Sequence, residues 1–265
     1  MYKISFGSDN HSGMHPAVLQ AIAKANEGYC PAYGDDPLTQ KILQELENLF
    51  GGDCEAWFSL TGTGANVLCL QTLMKPYHAV FCAATAHINV DECGAVQKQT
   101  QARLHPIPTP DGKLTPELIA PRLMGDRDQH HSQFRIVSIS QSTEYGTLYS
   151  LAELKALADF AHAHKMLLHI DGARLANAAV ALNCSLKAMT RDIGADIISF
   201  GGTKNGLLFG EAIISFQTEL THDLRFYRKQ ATQLFSKMRF IAAQFEAYLE
   251  GDLWKIGRAS CRERV

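Results

Sequence analysis

Short apolar runs alternate with amphipathic stretches along most of this chain, the pattern left by strands and helices laid down in turn. Residues 16–27 read as a helix with Pro16 in its first turn and Gly28 just past its end, and residues 37–50 repeat the arrangement with Gly51-Gly52 as terminator. The polar turn Tyr29-Cys-Pro-Ala-Tyr-Gly-Asp-Asp36 lies between them. A strand is expected at 56–60, followed by a glycine-rich turn and a helix over about 65–74. Apolar runs at 79–82 and 136–140 continue the series, and 151–164 is an amphipathic helix opened by a capping box of Ser150 and Glu153. Strands at 167–170 and 197–200 follow with a helical stretch between them, then one more strand at 211–216 and a long or broken helix over 219–250. Alternation of this kind predicts an α/β fold with a mostly parallel sheet covered on both faces. No internal repeat interrupts it.

Two of the strands end in chemistry. Met166-Leu-Leu-His-Ile-Asp171-Gly-Ala-Arg174 and Ile197-Ile-Ser-Phe-Gly-Gly-Thr-Lys204-Asn-Gly206 each run from an apolar strand into a reactive residue beside glycine. Ligands of open α/β sheets sit outside the carboxyl ends of the strands, so Asp171 and Lys204 are expected in one crevice. An acid that holds a protonated pyridine nitrogen and a lysine that condenses with an aldehyde are the two parts that pyridoxal phosphate chemistry requires. Taken singly, each residue has a plainer reading. Asp171 is also what a helix N-cap would be, and most lysines are solvated surface charges. Against this, Arg174 shares a small turn with Asp171, which suits division of labour between a pyridinium and a substrate carboxylate. Lys204 sits among glycines after an apolar strand, a poor place for a merely solubilising charge.

Thr61-Gly-Thr-Gly-Ala-Asn66 occupies a strand-to-helix turn, where free backbone N–H groups and the helix dipole favour a phosphate. Many such turns are glycine-rich for backbone reasons alone, and a nucleotide-binding module would use the same turn while leaving Lys204 and Asp171 unexplained. His87, in Thr85-Ala-His-Ile-Asn-Val-Asp-Glu92, is placed to stack on an aromatic ring with Glu92 orienting its surroundings; a structural histidine is the other reading. The remaining histidines lack metal-ligand spacing, so no metal is expected.

Composition narrows the partners. A formal net charge of −2 with no run of like charge argues against nucleic acid. No stretch is long and apolar enough for a bilayer, and the start of the chain lacks a signal-peptide core, so a cytoplasmic location is expected. The 7 cysteines have no C-x-x-C spacing and read mostly as buried free thiols. Residues 257–265 are basic and aperiodic, and read as a cloning or assembly scar.

Ser8-Asp9-Asn10, Tyr33-Gly-Asp-Asp-Pro37, Thr61-Gly-Thr-Gly-Ala-Asn66, Ala86-His87, Gln141-Ser-Thr-Glu144, His169-Ile-Asp-Gly-Ala-Arg174 and Ser199-Phe-Gly-Gly-Thr-Lys204 together resemble the low-specificity L-threonine aldolases of the β-eliminating lyase group, pyridoxal phosphate enzymes of fold type I. The resemblance runs from the N-terminus to about Ile256. It implies that Lys204 carries the cofactor, Asp171 pairs with its ring nitrogen, His87 stacks on the ring, and Gly62, Thr63 and Gly64 hold the phosphate. Arg174 and Ser8 would bind the carboxylate of a small amino acid substrate, and Tyr33 would reach a neighbouring subunit's site in a homo-oligomer, a dimer or tetramer. His87, directly or through water, would take the β-hydroxyl proton during aldol cleavage of L-threonine or L-allo-threonine to glycine and acetaldehyde. Residues 1–250 would form the cofactor-binding large domain with its N-terminal segment, and 251–256 the start of a small C-terminal domain that family members continue into and that is largely missing here. That domain supplies a further arginine in the family, so cofactor binding is expected to survive its loss better than turnover. The alternatives are a β-eliminating lyase acting on another β-substituted amino acid and a chain that binds the cofactor without turnover.

Overall fold

The computed structural model describes residues 7–256, so the 257–265 tail lies outside the described residues. The sheet is built from β1 (Glu55–Ser59), β2 (His78–Ala83), β3 (Arg103–Ile107), β4 (Gln133–Ser140), β5 (Leu167–Asp171), β6 (Ile197–Gly201) and β7 (Glu211–Ser215). Their spatial order is β1-β7-β6-β5-β4-β2-β3. The pairs β2–β3, β2–β4, β4–β5 and β5–β6 are parallel, while β6–β7 and β7–β1 are antiparallel. The expected mostly parallel sheet is therefore present. It reverses at β7 because residues 202–210 are too few for the crossover that a parallel return needs. All five positions of β5, of β6 and of β7 are buried, so both faces of the sheet centre are covered.

Helices Pro16–Ala25, Pro37–Leu49 and Leu151–Ala163 fall where the pattern places them, the last with both arms of the Ser150–Glu153 capping box formed. Two elements differ from expectation. Helix Gly62–Leu73 starts earlier than residue 65, because the Thr61 hydroxyl accepts the Gly64 N–H at 3.0 Å and draws the glycine turn into the first helical turn. The 219–250 stretch breaks into helices Leu224–Gln230 and Arg239–Leu249. Between them Thr232 has φ 60°, and the Gln233 side chain turns inward to accept from the Ser59 hydroxyl at 2.9 Å and the Leu60 N–H at 3.0 Å. Strand β3 has no clear signal in the pattern; it carries His105 and Pro106, and its place at the sheet edge tolerates a proline. Among the described cysteines, all free, only Cys54, Cys69 and Cys82 are buried, fewer than expected, since Cys30 and Cys93 are exposed and Cys184 is half-buried.

Register brings the strand ends together. Ser140 pairs with Asp171, and Glu211 faces both Gly201 and Ser59, so β1, β4, β5, β6 and β7 present these residues along one margin. The loop after β4 is held there by Gln141, whose side chain accepts the Tyr149 N–H at 3.0 Å and donates to the Tyr149 carbonyl at 2.9 Å. Tyr149 in turn accepts the buried Leu114 N–H on its hydroxyl at 2.7 Å. Tyr149→Phe leaves that N–H without a partner, and the expected cost is about 1–3 kcal/mol of stability, read as a lower urea midpoint with unchanged slope.

Candidate active site

The margin of the sheet opens into a cavity of about 280 Å³, near the lower end for cofactor-sized sites. Its walls bring together Thr61, Gly62 and Thr63 from the helix start, His87, Glu144, Asp171, Arg174, Lys204 and Glu211. The joint placement of Asp171 and Lys204 follows from their strands: β5 and β6 are parallel neighbours, paired through Ile170 and Ile198, so both run out on the same margin, β6 a little further. Lys204 lies on the 3-10 turn Thr203–Asn205, which is fixed from below. Gly202 N–H donates to Glu211 at 3.1 Å, Gly210 N–H donates to the Thr203 hydroxyl at 3.1 Å, and Asn205 donates to the Tyr248 hydroxyl and the Trp254 carbonyl at 2.7 Å each. The Lys204 amine itself has no hydrogen-bond or ion-pair partner among the described residues. The turn is built, and its amine is left open.

Asp171 is buried and belongs to a chain of polar groups. One carboxylate oxygen accepts the Ala173 N–H at 3.0 Å and the other accepts from Asn66 at 2.8 Å. The same Asn66 amide nitrogen donates to Glu92 at 2.8 Å, and Glu92 meets His87 Nδ1 at 2.9 Å. Asn66 is oriented by the Ser199 hydroxyl, which donates to its carbonyl oxygen at 3.3 Å and accepts the Gly172 N–H at 3.0 Å. The hydrogen bond to Glu92 raises the proton affinity of His87 above the ordinary imidazole value, with partial burial opposing it. Behind Asp171 on β5, His169 is fully buried, hydrogen-bonded to Ser138 at 2.9 Å, and held neutral by its burial. Burial pushes the Glu211 carboxyl up to about 7, against the lowering effect of bonds from the Thr203 hydroxyl and the Gly202 N–H.

At the helix start, the Gly64 N–H serves the Thr61 cap, whereas the Gly62 and Thr63 N–H groups have no partner among the described residues. Gly64 is needed for a different reason: a Cβ there would lie 2.3 Å from Gln233. Gly64 does not line the cavity, and neither do Ser8 and Tyr33. Ser8 caps the turn Asp9–His11 by accepting the Asn10 N–H at 3.1 Å. Tyr33 is exposed at φ 60°, with its ring beneath the Lys229 amine at 5.1 Å. Arg174 does face the cavity, and Asp9 holds it in a two-pronged pair, Nε to Oδ2 at 2.7 Å and Nη2 to Oδ1 at 3.2 Å. Sequence reasoning gives no role to Asp9, Asn66, Ser199 or Glu211. Position at a strand end signals Glu211, but the other three are partners across long separations that no local pattern marks. Among the described residues no cluster of His, Cys, Asp and Glu is arranged for a metal ion, and no helix is long and apolar enough to cross a membrane.

A profile of the beta-eliminating lyase family matches residues 5–264. The chain is similar to the low specificity L-threonine aldolase of Pseudomonas aeruginosa, with 43% identity over 250 residues, 94% of this chain and 72% of that protein. The solved threonine aldolase of Leishmania major matches with a TM-score of 0.91 at 31% identity, covering 96% of this chain and 74% of that one. The aspartate aminotransferase of Thermus thermophilus matches with a TM-score of 0.72 at 15% identity over 95% of this chain and 66% of that one, a likeness of fold alone.

Proposed function

Since the chain belongs to the beta-eliminating lyase family and has the fold type I sheet of its threonine aldolase relatives, we propose that it cleaves L-threonine or L-allo-threonine to glycine and acetaldehyde with pyridoxal phosphate bound at Lys204. The observation that carries this reading is the meeting of an unpartnered lysine amine, a buried aspartate and open helix-start N–H groups in one cavity. When bound, pyridoxal phosphate supplies an aldehyde that condenses with amines and a protonated ring that accepts the electron pair of a bond broken at the α-carbon.

The residues present fit that group. The Gly62 and Thr63 N–H groups and the helix dipole offer an anion site for the phosphate, with Gly64 completing the turn by admitting Gln233. Asp171 accepts two hydrogen bonds already, and a carboxylate with about four lone-pair sites takes a further one from a ring N–H. His87, its ring fixed through Nδ1 by Glu92, provides the flat surface for stacking. Arg174 gives Nε and one Nη2 proton to Asp9 and keeps its other N–H groups for a substrate carboxylate; Ser8 adjoins Asp9 but stands off the cavity wall, so it would have to turn toward the cavity to donate as well. A carboxylate fixed in this way would orient the α-carbon within the cavity, and orientation would select the bond that breaks. Tyr33, exposed and away from this cavity, fits a role at a second subunit's site in a homo-oligomer.

Protein supplied with pyridoxal phosphate and L-threonine is expected to release acetaldehyde and glycine in equal amounts, measured by a coupled alcohol dehydrogenase assay and amino acid analysis. Ammonia with a 2-oxo acid would instead assign a β-eliminating reaction to the same cavity, and bound cofactor with neither product set would contradict turnover.

A further inference from the structure

Nine buried side-chain nitrogen or oxygen atoms of the described residues lack a hydrogen-bond partner, and only one of them, Oε2 of Glu144, belongs to a residue that lines the cavity. The other oxygen of that carboxyl is held firmly. It accepts the His87 backbone N–H at 2.9 Å and the Ser140 hydroxyl at 2.6 Å, and Ser140 is the register partner of Asp171. Gln141 and Tyr149 clamp the loop that carries it. One oxygen is thus anchored by two donors while the second is left without a hydrogen-bond partner, an arrangement that is unfavourable for a buried polar atom. An unpaired acceptor on a residue that lines the cavity invites a donor from a ligand bound there.

We propose that Glu144 is the catalytic base that receives the β-hydroxyl proton, a step that rests on the aldol-cleavage reading above. The proton passes from the substrate hydroxyl to Glu144 Oε2, and the hydroxyl oxygen becomes the carbonyl of acetaldehyde as the Cα–Cβ bond breaks. The electron pair of that bond remains on the α-carbon side, where a proton returns to complete glycine. The Glu144 proton is then released to solvent, so the cycle needs no oxidant or reductant. His87 is the less suitable base. Its Nδ1 is engaged with Glu92, that contact favours its protonated form, and its ring face is assigned to stacking.

Glu144→Gln separates these roles, since the amide oxygen still accepts from His87 N–H and Ser140 while the amide nitrogen accepts no proton. Expected for this variant is a loss of about 10²–10³-fold in kcat for L-threonine cleavage. Its pyridoxal phosphate dissociation constant, from absorbance titration, is expected to stay within about twofold of the parent's. Exchange of the glycine α-proton with D2O, which involves no hydroxyl, should persist at the parent rate. Glu144→Asp, which retains a shortened carboxylate, should recover part of the cleavage rate. Cleavage by Glu144→Gln at the parent rate overturns the assignment, and so does loss of cofactor binding or glycine exchange along with cleavage, which would make Glu144 structural. Failure of the unaltered protein to release acetaldehyde while it exchanges the glycine proton would refute the aldol reading itself, a result separate from either.

Discussion

Lys204→Ala is expected to lower threonine cleavage by about 10³-fold or more while leaving the fold intact. The turn that carries Lys204 is held by its neighbours. Gly202, Thr203 and Asn205 make the contacts to Glu211, Gly210, Tyr248 and Trp254, and the Lys204 amine makes none among the described residues. Truncating the side chain therefore removes no hydrogen bond or ion pair of the fold, and the expected change in stability is about 0.5 kcal/mol or less. On the proposed reading the amine is the nucleophile that meets the cofactor aldehyde, and no other lysine among the described residues lines the cavity. A variant that melts with the parent and has lost cleavage fits this account. One that keeps its activity does not.

Gly172→Ala should do the opposite, damaging the fold first and the chemistry through it. A Cβ at position 172 would lie 2.1 Å from the Ser199 carbonyl oxygen, a backbone atom of β6 that cannot turn aside. Gly172 also stitches the ends of β5 and β6, donating its N–H to the Ser199 hydroxyl and accepting the Gly201 N–H, each at 3.0 Å. An added methyl forces the two strand ends apart, and with them Asp171 and Lys204. The expected loss is about 3 kcal/mol, at the upper end for overpacking, read as a reduced urea midpoint and weaker cofactor binding. Gly62→Ala is the control. Nothing lies within 4 Å of its added Cβ, so stability should be nearly unchanged there.

Asp171 and Lys204 show why much of the candidate site is legible in the sequence. Asp171 and Lys204 each follow an apolar strand run and sit beside glycine, so local pattern places both at the carboxyl margin of one sheet. The Thr61–Asn66 turn is legible for the same reason, being a strand-to-helix junction whose donors are local. What fixes the reactive groups is less local. Arg174 is aimed by Asp9, 165 residues away in the chain, and Asp171 is tied to Asn66 across 105. Neither pairing leaves a periodic trace. The break in the 219–250 helix is another such case, where the Gln233 side chain docks on the end of β1 and tertiary contact overrides helical propensity. Edge strand β3 escapes notice because its proline and histidine break the apolar run, and an edge position makes both acceptable.

The central claim is that Lys204 is the residue that bonds to pyridoxal phosphate. It is tested most directly by adding the cofactor to the purified protein, reducing with borohydride, and locating the modified residue by peptide mass spectrometry. The account predicts a single pyridoxyl label on Lys204, absent from the Lys204→Ala variant. A label on another lysine, or none in a folded sample saturated with cofactor, would contradict it.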